Sequence, residues 1–191
     1  MTEAQPDTAP RRFTFADRCW QAAYRLAYPV ARLWWAVRRP HHRGALVCVR
    51  VGPAILLVRQ SYRRAWTFPG GGVRPHETPE AAARRELLEE LGLAAMALHP
   101  AAILHGAWER QRDEVHVFEL TLDRLPPLRL DNREVVDARL FPPDALPGLR
   151  LSGPARDYLA GRGLRSATSG SGDIRSTTCS NAALDEKSSR R

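Results

Sequence analysis

Apolar and polar positions follow two different rhythms along this chain. Over residues 13–38, Trp20, Tyr24, Ala27, Ala31 and Trp34 recur at alternating steps of four and three, the spacing of one face of an amphipathic helix. Pro29 is expected to kink or divide that helix near its middle. Residues 45–51 (ALVCVRV) and 55–60 (ILLVRQ) are short β-branched runs either side of Val51-Gly52-Pro53-Ala54, which reads as a tight turn, so a hairpin is expected. Residues 101–108 (AAILHGAW) and 114–122 (EVHVFELTL) predict two further strands joined by the polar turn 109–113. In the second, His116, Phe118, Leu120 and Leu122 alternate with Val115, Val117, Glu119 and Thr121. Leu125-Pro126-Pro127-Leu128 reads as a bend, residues 134–141 suit a last strand, and Ser152 can cap a closing helix over 153–160 that Gly161 and Gly163 end.

Between the two strand pairs the period changes. Thr78 reads as a helix N-cap, Pro79 as the first helical residue and Gly92 as the terminating glycine, with strong helix formers between them. The helical repeat puts Glu86, Glu89 and Glu90 on one stripe and Leu87, Leu88 and Leu91 on the opposite, core-facing one. Like charges at that spacing oppose the helix by a few tenths of a kcal/mol per pair, roughly, so a divalent cation would stabilise it. Hard oxygen donors of this kind suit Mg²⁺ or Mn²⁺ and not zinc.

Gly71, Glu77, Arg85-Glu86-Leu87, Glu89-Glu90 and Gly92-Leu93 stand at the intervals of the Nudix box, and every defined position is filled. Trp66-Thr67-Phe68-Pro69-Gly70-Gly71 is similar to the usual lead-in to that box. The chain therefore resembles the Nudix hydrolases. The resemblance implies an α/β fold, a mixed β-sheet sandwiched between α-helices, with the box forming a loop–helix–loop. It implies hydrolysis of a diphosphate linkage, with Glu86, Glu89 and Glu90 as metal ligands and the Gly71 carbonyl also available to the metal. Glu89 stays open as ligand or as base. Arg85 is expected to pair with Glu77 or Glu89 and hold the carboxylates, and Glu77 to be structural. A base outside the box is open among Glu109, Glu114, Glu119 and Glu134, with Glu114 favoured for its place beside the polar turn. His105 and His116 are read as strand residues.

Charge narrows the partners. Of the net +8, residues 1–44 carry +5 (eight arginines against three acids), 45–164 carry +1 and 165–191 carry +2. A near-neutral core argues against nucleic acid as a partner of the folded domain. Arg11, Arg18, Arg25, Arg32 and Arg39 recur every seven residues beside the N-terminal aromatic stripe. That helix has three open readings: packed on the catalytic domain or on a second subunit as a homodimer, lying on an anionic membrane with its aromatic face down, or held by a partner protein.

The remaining features set the frame. Four segments are expected: a disordered leader (1–12), the N-terminal helix (13–39), the catalytic domain (45–164) and a disordered Ser/Thr-rich tail (165–191). Cys19, Cys48 and Cys179 are odd in number and lack metal-ligand spacing, which predicts reduced thiols and a cytoplasmic protein. No secretory signal or uncharged membrane span is expected, although contact with the inner face of a membrane through residues 13–39 is allowed. The expected substrate is a phosphorylated small molecule, a nucleoside diphosphate linked to another moiety. A binding module without catalysis and an RNA 5′-end pyrophosphohydrolase are the alternatives. Arg59, Arg63 and Arg64 are candidates to meet substrate or to stand in solvent.

Overall fold

The computed structural model describes residues 14–38, 41–94, 97–108 and 112–164, excluding the side chains of 31–38, 41 and 112. The leader at 1–12, the tail at 165–191, most of the 109–113 turn with Glu109, and Cys179 lie outside these residues. So do Arg11, Arg39 and the side chains of Ala31 and Trp34.

Helix α1 (Phe15–Arg38) precedes a hairpin of β1 (His41–Val51) and β2 (Ala54–Gln60). Two short strands follow, β3 (Trp66–Thr67) and β4 (Gly70–Gly72), and then helix α2 (Pro79–Leu91). Strands β5 (His99–Gly106), β6 (Arg112–Leu122) and β7 (Val135–Phe141) lead through a 3₁₀ turn (Pro143–Gly148) to α3 (Gly153–Gly161). The sheet runs β3-β2-β1-β6-β5, with β4 paired to β1 and β7 to β2. β1 and β6 are parallel and the other pairs antiparallel, so the sheet is mixed.

Each central strand buries both faces, which explains why the runs read as nearly continuous apolar sequence. Ala45, Val47, Val49, Leu56, Val58, Phe118 and Leu120 pack with Ala82, Ala83, Leu87 and Leu91 of α2. Cys48, Ile55, Leu57, Val115 and Val117 pack with Ala155, Tyr158 and Leu159 of α3. The protein is thus an α/β layered fold with a helix on either side of a mixed sheet, as the box implies.

Three local expectations change. Gly70–Gly72 is a strand and not a loop, because β1 continues past β2 and offers Gly44, Ala45 and Leu46 to it. Leu88 is 57% exposed, whereas Leu87 and Leu91 are fully buried. The buried arc of α2 is Ala82, Ala83, Leu87, Glu90 and Leu91, so its middle is a glutamate and Leu88 lies on the far side. Ser152 stands at the N-cap of α3 but bonds Thr67 Oγ1 at 2.9 Å in place of capping.

Helix α1 runs unbroken through Pro29 as one element. Its aromatic face meets the domain: Tyr24 and Tyr28 lie against Tyr62, with ring centroids 5.8 and 4.8 Å away. Gln21 Nε2 donates to the Asn132 carbonyl at 2.8 Å, and Arg25 Nε to the Ser61 carbonyl at 3.1 Å. Of the readings open for this segment, packing on the domain is the one these contacts describe.

Candidate active site

The site begins with glycines. Gly70 has φ +134, and a Cβ there would lie 2.2 Å from the Ala45 carbonyl oxygen, so no other residue fits. Its N–H donates to Glu90 Oε2 at 2.9 Å, which turns this carboxylate inward at 4% exposure. At Gly71 a Cβ would come within 2.6 Å of Glu86 Oε1, so the missing side chain is the space the carboxylate uses. Two box glutamates therefore face the glycine strand because β4 has no side chains to keep them off.

Arg85 ties the rest together. Nε and Nη2 make a bidentate pair with Glu77 at 2.8 and 3.0 Å, and Nη2 also reaches the Gly72 carbonyl at 3.1 Å. Nη1 donates to Glu86 Oε1 at 2.6 Å and to Glu89 Oε2 at 3.1 Å. Glu77 also accepts from the Arg74 N–H at 2.9 Å, and these bonds, Arg85 foremost, hold its pKa down at about 2. Glu89 is half exposed and has Arg74 at 3.6 Å as well.

Burial pushes the Glu90 carboxyl well up, and the charges of Glu86, Glu134 and Asp131 push it further. Burial likewise raises Glu86 against the pull of Arg85, with Glu89 and Glu134 adding to the rise. Glu134 is thus the downstream carboxylate that both Glu86 and Glu90 feel. Its position follows from backbone bonds: Arg129 N–H reaches the Leu91 carbonyl and Asp131 N–H the Glu90 carbonyl, strapping this segment to the end of α2. Asp131 then accepts from the Glu134 and Val135 N–H groups at 3.0 and 2.9 Å. Tyr62 Oη at 2.6 Å and Gln60 Nε2 at 3.2 Å both donate to Glu134 Oε1.

Glu114 sits elsewhere. Its Oε1 is bonded by His116 Nε2 at 2.8 Å and Arg43 Nε at 3.2 Å, and the His116 bond first of all holds its pKa low. Glu119 accepts from Tyr158 Oη at 2.7 Å, beside α3. His105 is exposed on β5, and Arg59 pairs with Asp137 at 3.1 Å. The described structure brings together Gly71, Glu77, Arg85, Glu86, Glu89 and Glu90, adds Glu134, and leaves Glu114 outside that network.

Alongside lies a cavity of about 270 Å³, walled by Gly70–Gly72, Gln60, Tyr62, Arg63, Glu134, His42, Asp113, Trp108 and Ser152–Pro154. Trp108 is held by a 2.9 Å bond from its Nε1 to Asp157. Gln60 Oε1 is buried with no hydrogen-bond partner among the described residues. Of the arginines near β2, only Arg63 lines this space.

The family model for the NUDIX domain matches residues 40–160. The chain belongs to the NUDIX family. An RNA pyrophosphohydrolase of Yersinia enterocolitica is 48% identical over 50 residues, 26% of this chain and 28% of that protein's own length. A MutT NUDIX hydrolase structure from Burkholderia pseudomallei superposes with TM-score 0.56 at 23% identity, over 63% of this chain and 97% of that one. A bifunctional NMN adenylyltransferase/ADP ribose pyrophosphatase from Francisella tularensis, complexed with AMP and a Mn ion, gives TM-score 0.56 at 22% identity, over 75% of this chain and 46% of that one. The two structural likenesses show the NUDIX fold, while the chain matches less than a third of the length of the Yersinia protein.

The donor chemistry fits a hard divalent ion. Glu90 is buried and Glu86 half-buried; the charge of Glu86 raises Glu90 and that of Glu134 raises both, a crowding that a cation relieves. As placed, Glu86 and Glu89 answer to Arg85, and among the described residues no three His, Cys, Asp or Glu side chains already converge as a cage.

Proposed function

We propose that this NUDIX protein hydrolyses the diphosphate linkage of a nucleoside diphosphate joined to a second moiety, with Mg²⁺ or Mn²⁺. The observation that carries the reading is the pair of carboxylates, half-buried Glu86 and buried Glu90, turned onto a side-chain-free strand at the wall of the cavity. Glu86, Glu90 and Glu134 would hold the ion, with the backbone at Gly71 alongside. When bound, it offsets the phosphate charge and lowers the pKa of the attacking water.

The chain's own residues do the rest. Arg85, anchored by Glu77, holds Glu86 and Glu89 in orientation, and Tyr62 with Gln60 does the same for Glu134. Glu89 is the box carboxylate that faces water, which suits it to accept the proton of the attacking water. Glu114 is a poorer acceptor because His116 and Arg43 hold its proton affinity down. In the cavity, the Trp108 ring offers a stacking surface and Gln60 Oε1 a free acceptor for a ring N–H.

A panel of nucleoside diphosphate derivatives, nucleoside triphosphates and a 5′-triphosphate RNA oligonucleotide tests this, read by phosphate release. Turnover of a diphosphate derivative, lost in Glu90→Gln by at least about a hundredfold, supports the reading. Turnover of the RNA alone would favour the second reading, which the short Yersinia relative suggests and the near-neutral core opposes. No turnover on the whole panel, with tight nucleotide binding, would make the protein a binding module. Replacing Glu89, Glu114 and Glu134 singly by Gln then separates base from ligand.

A further inference from the structure

Helix α1 has two long faces, and the fold uses one. Asp17, Gln21, Tyr24 and Tyr28 turn toward the domain, where Gln21 bonds Asn132, the two tyrosines meet Tyr62 and Asp17 faces Arg133 at 3.9 Å. At about 100° per residue the opposite side carries Phe15, Cys19, Ala22, Leu26 and Val30 in one line. There Phe15 is 84%, Leu26 75% and Val30 69% exposed, and Cys19 and Ala22 are exposed too. A row of large apolar side chains in water, on a helix already anchored by its other face, marks a contact surface.

Charge says what the surface fits. Arg18 flanks the stripe on one side, exposed, and Arg25 stands in step with it at the edge where its Nε meets the Ser61 carbonyl. The one acid in α1, Asp17, lies on the docked side. Pairing with a second copy through this stripe would set arginine-flanked edges against one another, since that one acid lies on the docked side of each helix. Phosphate headgroups supply the opposite charge, and the acyl layer beneath them takes the apolar row. The helix is not apolar enough to cross a bilayer.

We propose that α1 lies flat on an anionic lipid surface, with the Phe15–Leu26–Val30 stripe in the headgroup–acyl boundary and the exposed Arg18 side chain on the phosphates. The catalytic domain sits on the helix's other side, held by the Tyr24, Tyr28 and Gln21 contacts. This is the reverse of the face that the aromatic periodicity suggested, because Tyr24 of that face is taken up by Tyr62.

The experiment is flotation of the full chain with vesicles of phosphatidylglycerol and phosphatidylcholine, against vesicles of phosphatidylcholine alone, at low and at raised salt. The protein should float with the anionic vesicles, bind the neutral ones about tenfold more weakly, and come off as salt rises. The double variant Leu26→Glu/Val30→Glu should lose about tenfold or more in binding, with an unchanged unfolding midpoint and unchanged nucleotide turnover. Leu26→Ala/Val30→Ala, which adds no charge, should lose binding in the same direction. The proposal is overturned if nothing floats with anionic vesicles. It is equally overturned if both double variants float as the wild type does, which would place the attraction in the chain's arginine-rich ends. A dimer in sedimentation that the glutamate variant converts to monomer would give the stripe to a second copy instead.

Discussion

Arg85 has five N–H donors, and five hydrogen bonds leave it: two to Glu77 and one each to Glu86, Glu89 and the Gly72 carbonyl. Such saturation makes the guanidinium a fixed strut between the turn at Glu77 and the carboxylates of α2. Its pH dependence follows from Glu77, whose folded pKa of about 2 lies below its unfolded value. The stabilisation is therefore fully present above the unfolded value of about 4.3 and is lost as pH falls through about 2. Thermal unfolding in chelator should show wild type more stable than Glu77→Gln at neutral pH, with the gap closing across that acid window. A gap that does not change with pH would remove the ion pair from the account.

At the scale of elements, α2 shows how a buried charge and a buried core share one helix. Ala82 and Ala83 are small enough to bring the helix close to the glycine strand, and Glu90 fills the centre of the arc to meet the Gly70 N–H. Leu88 is left to solvent. Leu87→Ala should cost about 2–5 kcal/mol by denaturant unfolding, from lost burial and the cavity left behind. Leu88→Ala should change stability by less than about 0.5 kcal/mol. Equal losses would mean that α2 is turned differently on the sheet. A second element works similarly: Tyr24 and Tyr28 press on Tyr62, whose hydroxyl holds Glu134, so the docked face of α1 abuts the wall of the site.

For the whole molecule, the site is a store of unrelieved repulsion. Glu90 has its pKa raised by burial and by neighbouring carboxylates, so its sign is opposite to that of Glu77. Below the ordinary carboxylate range its contribution is intact. As pH rises through the raised folded value, stability is lost, because the unfolded chain ionises more readily. A divalent ion at a hundred times its dissociation constant should restore about 2.7 kcal/mol at neutral pH. Calorimetry with and without Mg²⁺ should show that rise in unfolding temperature for wild type, a smaller one in acid, and none for Glu90→Gln. The same glutamine should leave the metal-free protein at neutral pH more stable than wild type by about 1–2 kcal/mol, since it keeps an acceptor for Gly70 without a buried charge.

What the sequence by itself determined is local. Thr78 and Gly92 bound α2 where the residue types say: Thr78 accepts from the Ala81 N–H, and Gly92 takes φ +65. The β1–β2 hairpin was legible because both strands are apolar on two faces around a turn former, and β5, β6 and β7 because apolar or alternating runs stand between polar turns. The box was legible as a family resemblance, and with it a hydrolase acting on pyrophosphate bonds, since its defining side chains stand a few residues apart. Tertiary structure decided the rest. Alanine is weakly apolar, so nothing in the sequence said that Ala82 and Ala83, and not Leu88, would set the phase of α2 and carry Glu90 inward. Three glycines read as a loop until β1 offered them an edge. Along the chain Glu114 was favoured over Glu134 for its place beside a polar turn, and only the strap from residues 129–131 to the end of α2 placed Glu134 beside the box. The faces of α1 were both periodic; which one met the protein depended on Tyr62, 38 residues beyond Tyr24 and beyond the reach of any local pattern.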